Sequence, residues 1–340
     1  MKQARLLDKY KLRIEEVDVP LLKDNEVLIK VKLAGICGSD VHSYQSIHPF
    51  AFPPIVLGHE FVGEITEIGK DVRGFSPGER VVIEPNIACG VCDNCRQGRY
   101  NICTNLKVIG FMEDKGGFAE YTAIPADRLL KLPDSLTWEE AVLTEPLAVA
   151  VHAVRKSNQK IGERVLIIGA GPIGLFTMQV AKRAGAKEVI ITDLLNYRLK
   201  IARELGADRV INSKEEDLLS LIKKDYRGGI DLVYDCVGRE ETVNQAINAA
   251  RKGRRIILVG VPSGELKVAL HHIQNNELEL IGILMYVRED FNTALSLISK
   301  KEIKVKPLIT QKFNLTEIEK AFQLILSNKE ETLKVLITCS

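Results

Sequence analysis

Four cysteines, Cys89, Cys92, Cys95 and Cys103, fall within fifteen residues in the pattern C-x2-C-x2-C-x7-C. Thiolates this close in sequence can meet around one tetrahedral zinc, each sulfur roughly 2.3 Å from the ion. Ferredoxin-type iron–sulfur spacing has a shorter last gap and a proline after the final cysteine, whereas Thr104 follows Cys103. Four sulfurs leave no position open for substrate, so this zinc is expected to hold a loop folded. A second set is spread along the chain: Cys37 in Gly35-Ile36-Cys37-Gly38-Ser39-Asp40, the tripeptide Gly58-His59-Glu60, and Glu145 between Thr144 and Pro146. One thiolate, one imidazole and one or two carboxylates, with room for an oxygen ligand, describe a catalytic zinc. Taken singly, each also reads as an ordinary core thiol, buried ring or helix-start acid.

The third chemical signal is Gly169-Ala170-Gly171-Pro172-Ile173-Gly174. It follows a β-branched run at 165–168 and precedes helical apolar spacing over 175–184. Glycines so placed allow a tight turn, close approach of a pyrophosphate, and contact between helix and strand, while the helix N-terminus presents unpaired N–H groups to the phosphates. Asp193 lies nineteen residues after Gly174, at the end of the next predicted strand, where its carboxylate can accept from ribose hydroxyls. It would also repel a 2′-phosphate, and Leu194 and Leu195 offer no cation in compensation, so NAD is expected rather than NADP. Arg198, Val259 and Gly260 complete the candidate cofactor set.

These residues must be positioned by two kinds of structure. Residues 1–150 read as short β segments, such as 26–33, 61–68 and 80–84, broken by Gly and Pro turns. From about residue 151 strands and helices alternate, with strands at 165–168, 188–192, 209–211, 231–234 and 255–259 and helices at 175–184, 199–205 and 242–250. That alternation means βαβ units and a parallel sheet, an α/β class. Beyond about 287 come a helix at 291–299, an extended piece at 307–313, a helix at 315–327 and a strand at 332–338. No internal repeat or low-complexity linker interrupts this order.

Bulk properties agree with a globular protein of two domains. Of 340 residues 46% are hydrophobic and 27% charged, and 47 basic against 45 acidic residues leave a net charge of +2. Such a balance gives no electrostatic case for a nucleic-acid or membrane partner. The apolar runs are strand-sized and the first sixteen residues carry a charge every few positions, so a cytoplasmic protein is expected. Clustered cysteines in a reducing compartment favour a metal over disulfides.

In order, Cys37-Gly-Ser-Asp-Val-His42, Gly58-His-Glu60, the four-cysteine loop, Glu145-Pro-Leu147 and the Gly169 fingerprint resemble the zinc-dependent medium-chain dehydrogenases over essentially the whole chain. The branch with sorbitol, L-idonate, L-galactonate and threonine dehydrogenases is the nearest. The resemblance implies a GroES-like catalytic domain at 1–150 with a structural-zinc lobe at about 86–105, a Rossmann NAD-binding domain at 151–287, and a return to the catalytic domain at 288–340. It implies Cys37 and His59 as firm ligands of the catalytic zinc, with Glu60 or Glu145 as the third. Neighbouring residues on a regular strand point to opposite faces, so His59 and Glu60 share a metal only where the backbone departs from that geometry. Asp40 resembles the acid that orients the histidine ligand. Ser39 and His42 match the family's proton relay from the substrate hydroxyl to solvent. The implied reaction passes a hydride from a secondary alcohol to NAD, the metal lowering the hydroxyl pKa as it lowers that of water from ~16 toward ~7. The family habit suggests a homodimer or homotetramer.

For the substrate, sorbitol dehydrogenases carry an aromatic residue after the relay histidine and an Arg-Tyr pair late in the chain, whereas this sequence has Ser43 and Met285-Tyr286. The segment His48-Pro-Phe50, followed by Pro53-Pro-Ile-Val-Leu-Gly-His59, looks more like hexonate dehydrogenases acting on L-galactonate or L-idonate. A sugar acid is therefore favoured over a neutral polyol, with L-threonine-like amino alcohols behind. Arg288 is a positional candidate for a substrate carboxylate. Rival readings are a non-catalytic NAD sensor, opposed by the intact ligand and relay set, and a zinc-ribbon nucleic-acid binder, opposed by the near-neutral charge.

Overall fold

Strand Glu26–Gly35 is apolar almost without alternation, and its Val27, Ile29, Val31 and Ala34 are fully buried. Neighbours on both edges explain this. Glu60–Ile68 runs antiparallel along one edge, while Tyr121–Pro125 and Lys334–Thr338 share the other, pairing with residues 26–30 and 33–35 respectively. The sheet continues outward in the order Leu129–Lys131, Arg80–Ile83, Glu60–Ile68, Glu26–Gly35, Lys334–Thr338, Ile309–Asn314. A smaller sheet pairs Lys2–Asp8 with Lys11–Glu16 and with Ile55–Val56. Beneath lies a core that includes Ile29, Val31, Phe61, Ile65, Phe118 and Phe322, where each large side chain is worth ~1.5–3 kcal/mol by removal from water.

This computed structural model describes residues 1–48, 50–328 and 331–340. Pro49, in the His48–Phe50 segment noted above, lies outside the described residues. The chain forms two compact units, Met1–Glu145 with Val287–Ser340, and Pro146–Tyr286.

The second unit holds six parallel strands in the order Arg209–Asn212, Glu188–Asp193, Arg164–Ile168, Ile230–Asp235, Ala250–Leu258, Glu279–Gly282. This is the doubly wound Rossmann order, with the reversal beside the first strand of the unit. Strands of such a sheet are buried on both faces and read as continuous apolar runs; Val165, Leu166 and Ile167 are fully buried. Helix Pro172–Arg183 begins three residues earlier than its apolar spacing suggested, because Gly171 caps it and Pro172 occupies its first turn. The hairpin Lys2–Asp8/Lys11–Glu16, helix Leu218–Asp225 and edge strand Glu279–Gly282 were not assigned from sequence; charged residues interrupt their apolar pattern. Among the described residues no helix is long and apolar enough to cross a membrane.

Candidate active site and metal centres

The four-cysteine loop closes on itself. Cys92 caps the single-turn helix Asp93–Arg96, and Cys103 ends the 3-10 turn Tyr100–Ile102. Their sulfurs lie 3.4 Å (Cys92–Cys95), 3.9 Å (Cys92–Cys103) and 4.0 Å (Cys89–Cys95) apart, and all four lie within 4.8 Å of one another. Tetrahedral ligands at ~2.3 Å from zinc stand about 3.8 Å apart, so the cage fits the ion. Backbone N–H groups of Thr104 and Cys95 pull the Cys92 thiol down to about 6, while burial and the neighbouring sulfurs push Cys95 up to about 12. Four thiols cannot all ionise in so small a space without a cation to neutralise them. The loop is anchored by the Tyr100 hydroxyl, which donates to the fully buried carboxylate of Glu84.

That carboxylate also settles Arg288. Its Nε lies 2.7 Å from Glu84 Oε2, and its other nitrogens donate to the carbonyls of Leu129 (3.3 Å) and Asp127. The guanidinium thus satisfies a buried acid, and the expectation that it receives a substrate carboxylate is corrected.

The second centre is assembled from three distant segments. Gly58 takes a left-handed φ of 98°, and the strand that follows begins at Glu60. His59 therefore sits in the turn, not on the pleat, which lets adjacent side chains converge. Cys37 Sγ, a nitrogen of His59 and a carboxylate oxygen of Glu60 all lie within 4.8 Å of one another. A Cβ on Gly58 would press on the backbone and ring of Phe118; one on Gly35, which is in register with Glu60, would collide with Glu60 Oε2. Both glycines keep space that the ligand set needs.

Asp40 holds two of these groups at once. Its Oδ2 accepts the Cys37 N–H at 2.8 Å, and its Oδ1 lies 3.5 Å from His59 Nδ1. Neither Oδ1 nor Nδ1 has a closer partner, and both atoms are buried. Burial opposes a charge on His59, yet Asp40 and Cys37 outweigh it and hold the imidazole pKa well above its ordinary value. A pocket that draws a proton so strongly suits a cation.

Lys334, absent from the sequence-based site, stands on the far side of Glu60. Its Nζ donates to Oε1 at 2.8 Å, to Oε2 at 2.7 Å and to the Ile36 carbonyl at 3.1 Å. Both partners are nearly inaccessible, at 3% and 0%. Burial works against its charge, but Glu60, Cys37 and Glu145 raise its pKa above the usual lysine value. Glu145, 4% exposed at the start of helix Thr144–Lys156, is thus within electrostatic reach, while the acid grouped with Cys37 and His59 is Glu60. Ser39 and His42 lie three residues apart on helix Gly38–Tyr44, both part-exposed. Cys37, His59 and Glu60 fit a zinc ion, with Asp40 and Lys334 fixing the orientation of two ligands.

In the second unit Gly169 has φ 98° and Gly174 packs on the Gly169 carbonyl, where a Cβ would collide. At Gly171 a Cβ would meet nothing nearer than Arg198, 3.9 Å away, which leaves the approach to the helix N-terminus open. Asp193 Oδ2 accepts the Ala170 N–H at 2.7 Å, and Oδ1 accepts from Leu194 (2.7 Å) and Leu195 (3.0 Å). Arg198 lies 3.8 Å from the same carboxylate, so the acid is held by backbone on one side and a cation on the other. The N–H groups of Val259 and Gly260 both donate to the Asp235 carbonyl at 2.9 Å, and Gly260 packs against Val237 and Gly238.

Residues 23–134 match the family model of the alcohol dehydrogenase GroES-like domain, and residues 172–300 that of the zinc-binding dehydrogenases. Sorbitol dehydrogenase of Bacillus subtilis is 35% identical over 99% of this chain and 97% of its own length. L-idonate 5-dehydrogenase of Vitis vinifera is 37% identical over 94% of this chain and 90% of its own. Among solved structures, an alcohol dehydrogenase of Escherichia coli CFT073 complexed with NADH superposes with a TM-score of 0.93 at 35% identity, over 99% of both chains.

Proposed function

The chain belongs to the zinc-dependent medium-chain dehydrogenases, in the branch of polyol and sugar-acid enzymes, and from that premise we propose that it oxidises a secondary hydroxyl of a polyhydroxylated carbon chain with NAD as acceptor. The observation that carries this reading is the convergence of Cys37, His59 and Glu60 within 4.8 Å, with Asp40 behind the imidazole. A zinc ion held there would polarise the substrate hydroxyl and ease loss of its proton. Cys37 and His59 are its firm ligands, Glu60 the third, and Glu145 an acid behind them. Ser39 takes the proton and His42 hands it to solvent. In the second unit, Gly171 and the N-terminus of helix Pro172–Arg183 receive the pyrophosphate, with Ile173 and Gly174 in that first turn. Asp193 accepts from the ribose hydroxyls beside Arg198, and Val259 and Gly260 complete the cradle. Replacing Asp193 with Ala should raise the KM for NAD about tenfold and narrow the preference over NADP; unchanged selectivity would count against its role.

A hexonate such as L-idonate or L-galactonate remains the first substrate reading, on the sequence of the 48–59 segment. The neutral hexitol is the second, favoured by the engagement of Arg288 with Glu84, which removes the cation proposed for a carboxylate. Initial rates of NADH formation across hexonates, hexitols and L-threonine distinguish them, with metal analysis expected to show two zinc ions per chain. Wild-type protein that reduces NAD with none of these would overturn the reading. We also propose a cytoplasmic homodimer or homotetramer, for which the terminal position of strand Glu279–Gly282 in its sheet, with Leu280 exposed, supplies one surface.

A further inference from the structure

The loop after helix Gly38–Tyr44 carries a second imidazole into a cluster of rings. His48 is 7% exposed; its ring meets Phe111 edge-on at 4.4 Å between centroids, and Phe111 in turn stands 5.7 Å from His59. The His42 ring is 6.5 Å away and that of Phe50 6.0 Å. His48 is therefore one aromatic ring removed from a metal ligand and faces the relay histidine directly. Its Nδ1 accepts the Phe50 N–H at 3.1 Å. An imidazole that accepts at one nitrogen while neutral carries its proton on the other, so Nε2 is a donor. Burial, followed by His42, pushes the pKa of His48 down to about 4, which keeps the ring neutral at physiological pH. Among the described residues Nε2 makes no hydrogen bond, and it is not sealed from solvent. A donor in such a ring-lined recess, open to solvent only at this atom, is met by water until an acceptor arriving with the substrate takes the water's place.

We propose that His48 is a specificity-determining residue whose Nε2–H donates to an oxygen of the substrate chain beyond the reacting carbon. This rests on the dehydrogenase reading above and refines it: the oxygen-rich chain, and not just the reacting alcohol, is recognised. A hydroxyl or a carboxylate oxygen can fill the role, since a neutral donor serves both. No proton is transferred by His48; it positions the substrate.

The test compares His48→Phe, which keeps a ring against Phe111 but has no donor, with His48→Gln, whose amide N–H can reach the place of Nε2–H. The substrate is whichever hexitol or hexonate the wild type oxidises best. For His48→Phe the KM, and the dissociation constant of that substrate measured by quenching of bound NADH fluorescence, should both rise about fivefold to tenfold. The kcat should stay within about twofold, with NADH affinity and two zinc ions per chain retained, and His48→Gln should recover most of the loss. An unchanged KM in His48→Phe overturns the assignment, as does a joint fall of kcat and zinc content, or a Gln variant no better than Phe. Wild-type protein inactive on every alcohol overturns the dehydrogenase reading itself, and this refinement with it.

Discussion

The two cation sites of the first unit are built on opposite plans. The four-cysteine loop takes all its ligands from fifteen consecutive residues, three of the four ligands part-exposed, and the metal-binding group there consists of sulfurs alone. The Cys37 centre draws on three segments, is largely buried, and sets each ligand against another ionisable group: Asp40 behind His59, Lys334 behind Glu60. A closed cage of four sulfurs satisfies its ion and has nothing further to adjust. A site with an open position must keep its ligands aimed while substrate comes and goes, and buried counter-charges do that.

The sharpest way to break this contrast is Cys37→Ser, expected to abolish turnover and lower zinc from two ions per chain to one; full activity in the purified variant would end the catalytic assignment. Next in size, Cys103→Ser should remove the other zinc and unfold the 86–105 lobe, since structural zinc is worth on the order of 10 kcal/mol in small domains. Proteolysis confined to that lobe, with zinc still bound at Cys37, is the expected result, and loss of both ions would show that the two sites are not independent. Lys334→Met leaves Glu60 buried without a partner, which typically costs ~3–5 kcal/mol. Urea unfolding of the chelator-treated protein should show that loss, and added zinc should recover part of it as Glu60 gains another cation. A loss that zinc does not touch would mean that Glu60 is no ligand. Gly35→Ala is the mildest: the new methyl displaces Glu60 Oε2, and zinc affinity at this centre should fall about tenfold while the four-cysteine site is unmoved. Equal weakening of both sites would point to general misfolding.

What could be read from the sequence follows the same division. Four cysteines at fixed spacing, and a glycine fingerprint between strand and helix, announce their chemistry because the residues that cooperate are neighbours in the chain. Cys37 and His59 needed a family resemblance to be joined, since nothing local links them. Lys334 was invisible: in Leu333-Lys334-Val335 it reads as an ordinary strand lysine, and only sheet register brings it to a carboxylate 274 residues away. Arg288 is a candidate on position alone for the same reason, its partner Glu84 lying far back in the chain. His48 was noticed only as part of a resemblance, because its donor becomes meaningful once Phe50 and Phe111 are in place around it. The convergence of His59 and Glu60 could be stated as a requirement but not seen, for it depends on the left-handed turn at Gly58.

The position of Lys334 has a consequence for biosynthesis. At the ribosome's pace of about 5–20 residues per second, Glu60 waits roughly 14–55 s for its ammonium partner to be made, whereas the first and last cysteines of the loop are separated by only roughly 1–3 s. The thiol cage can thus capture its ion while the nascent chain is still growing. The reactive centre gains its full set of opposing charges only when the strand that carries Lys334 pairs beside Glu26–Gly35, so its final electrostatic setting belongs to the last moments of maturation.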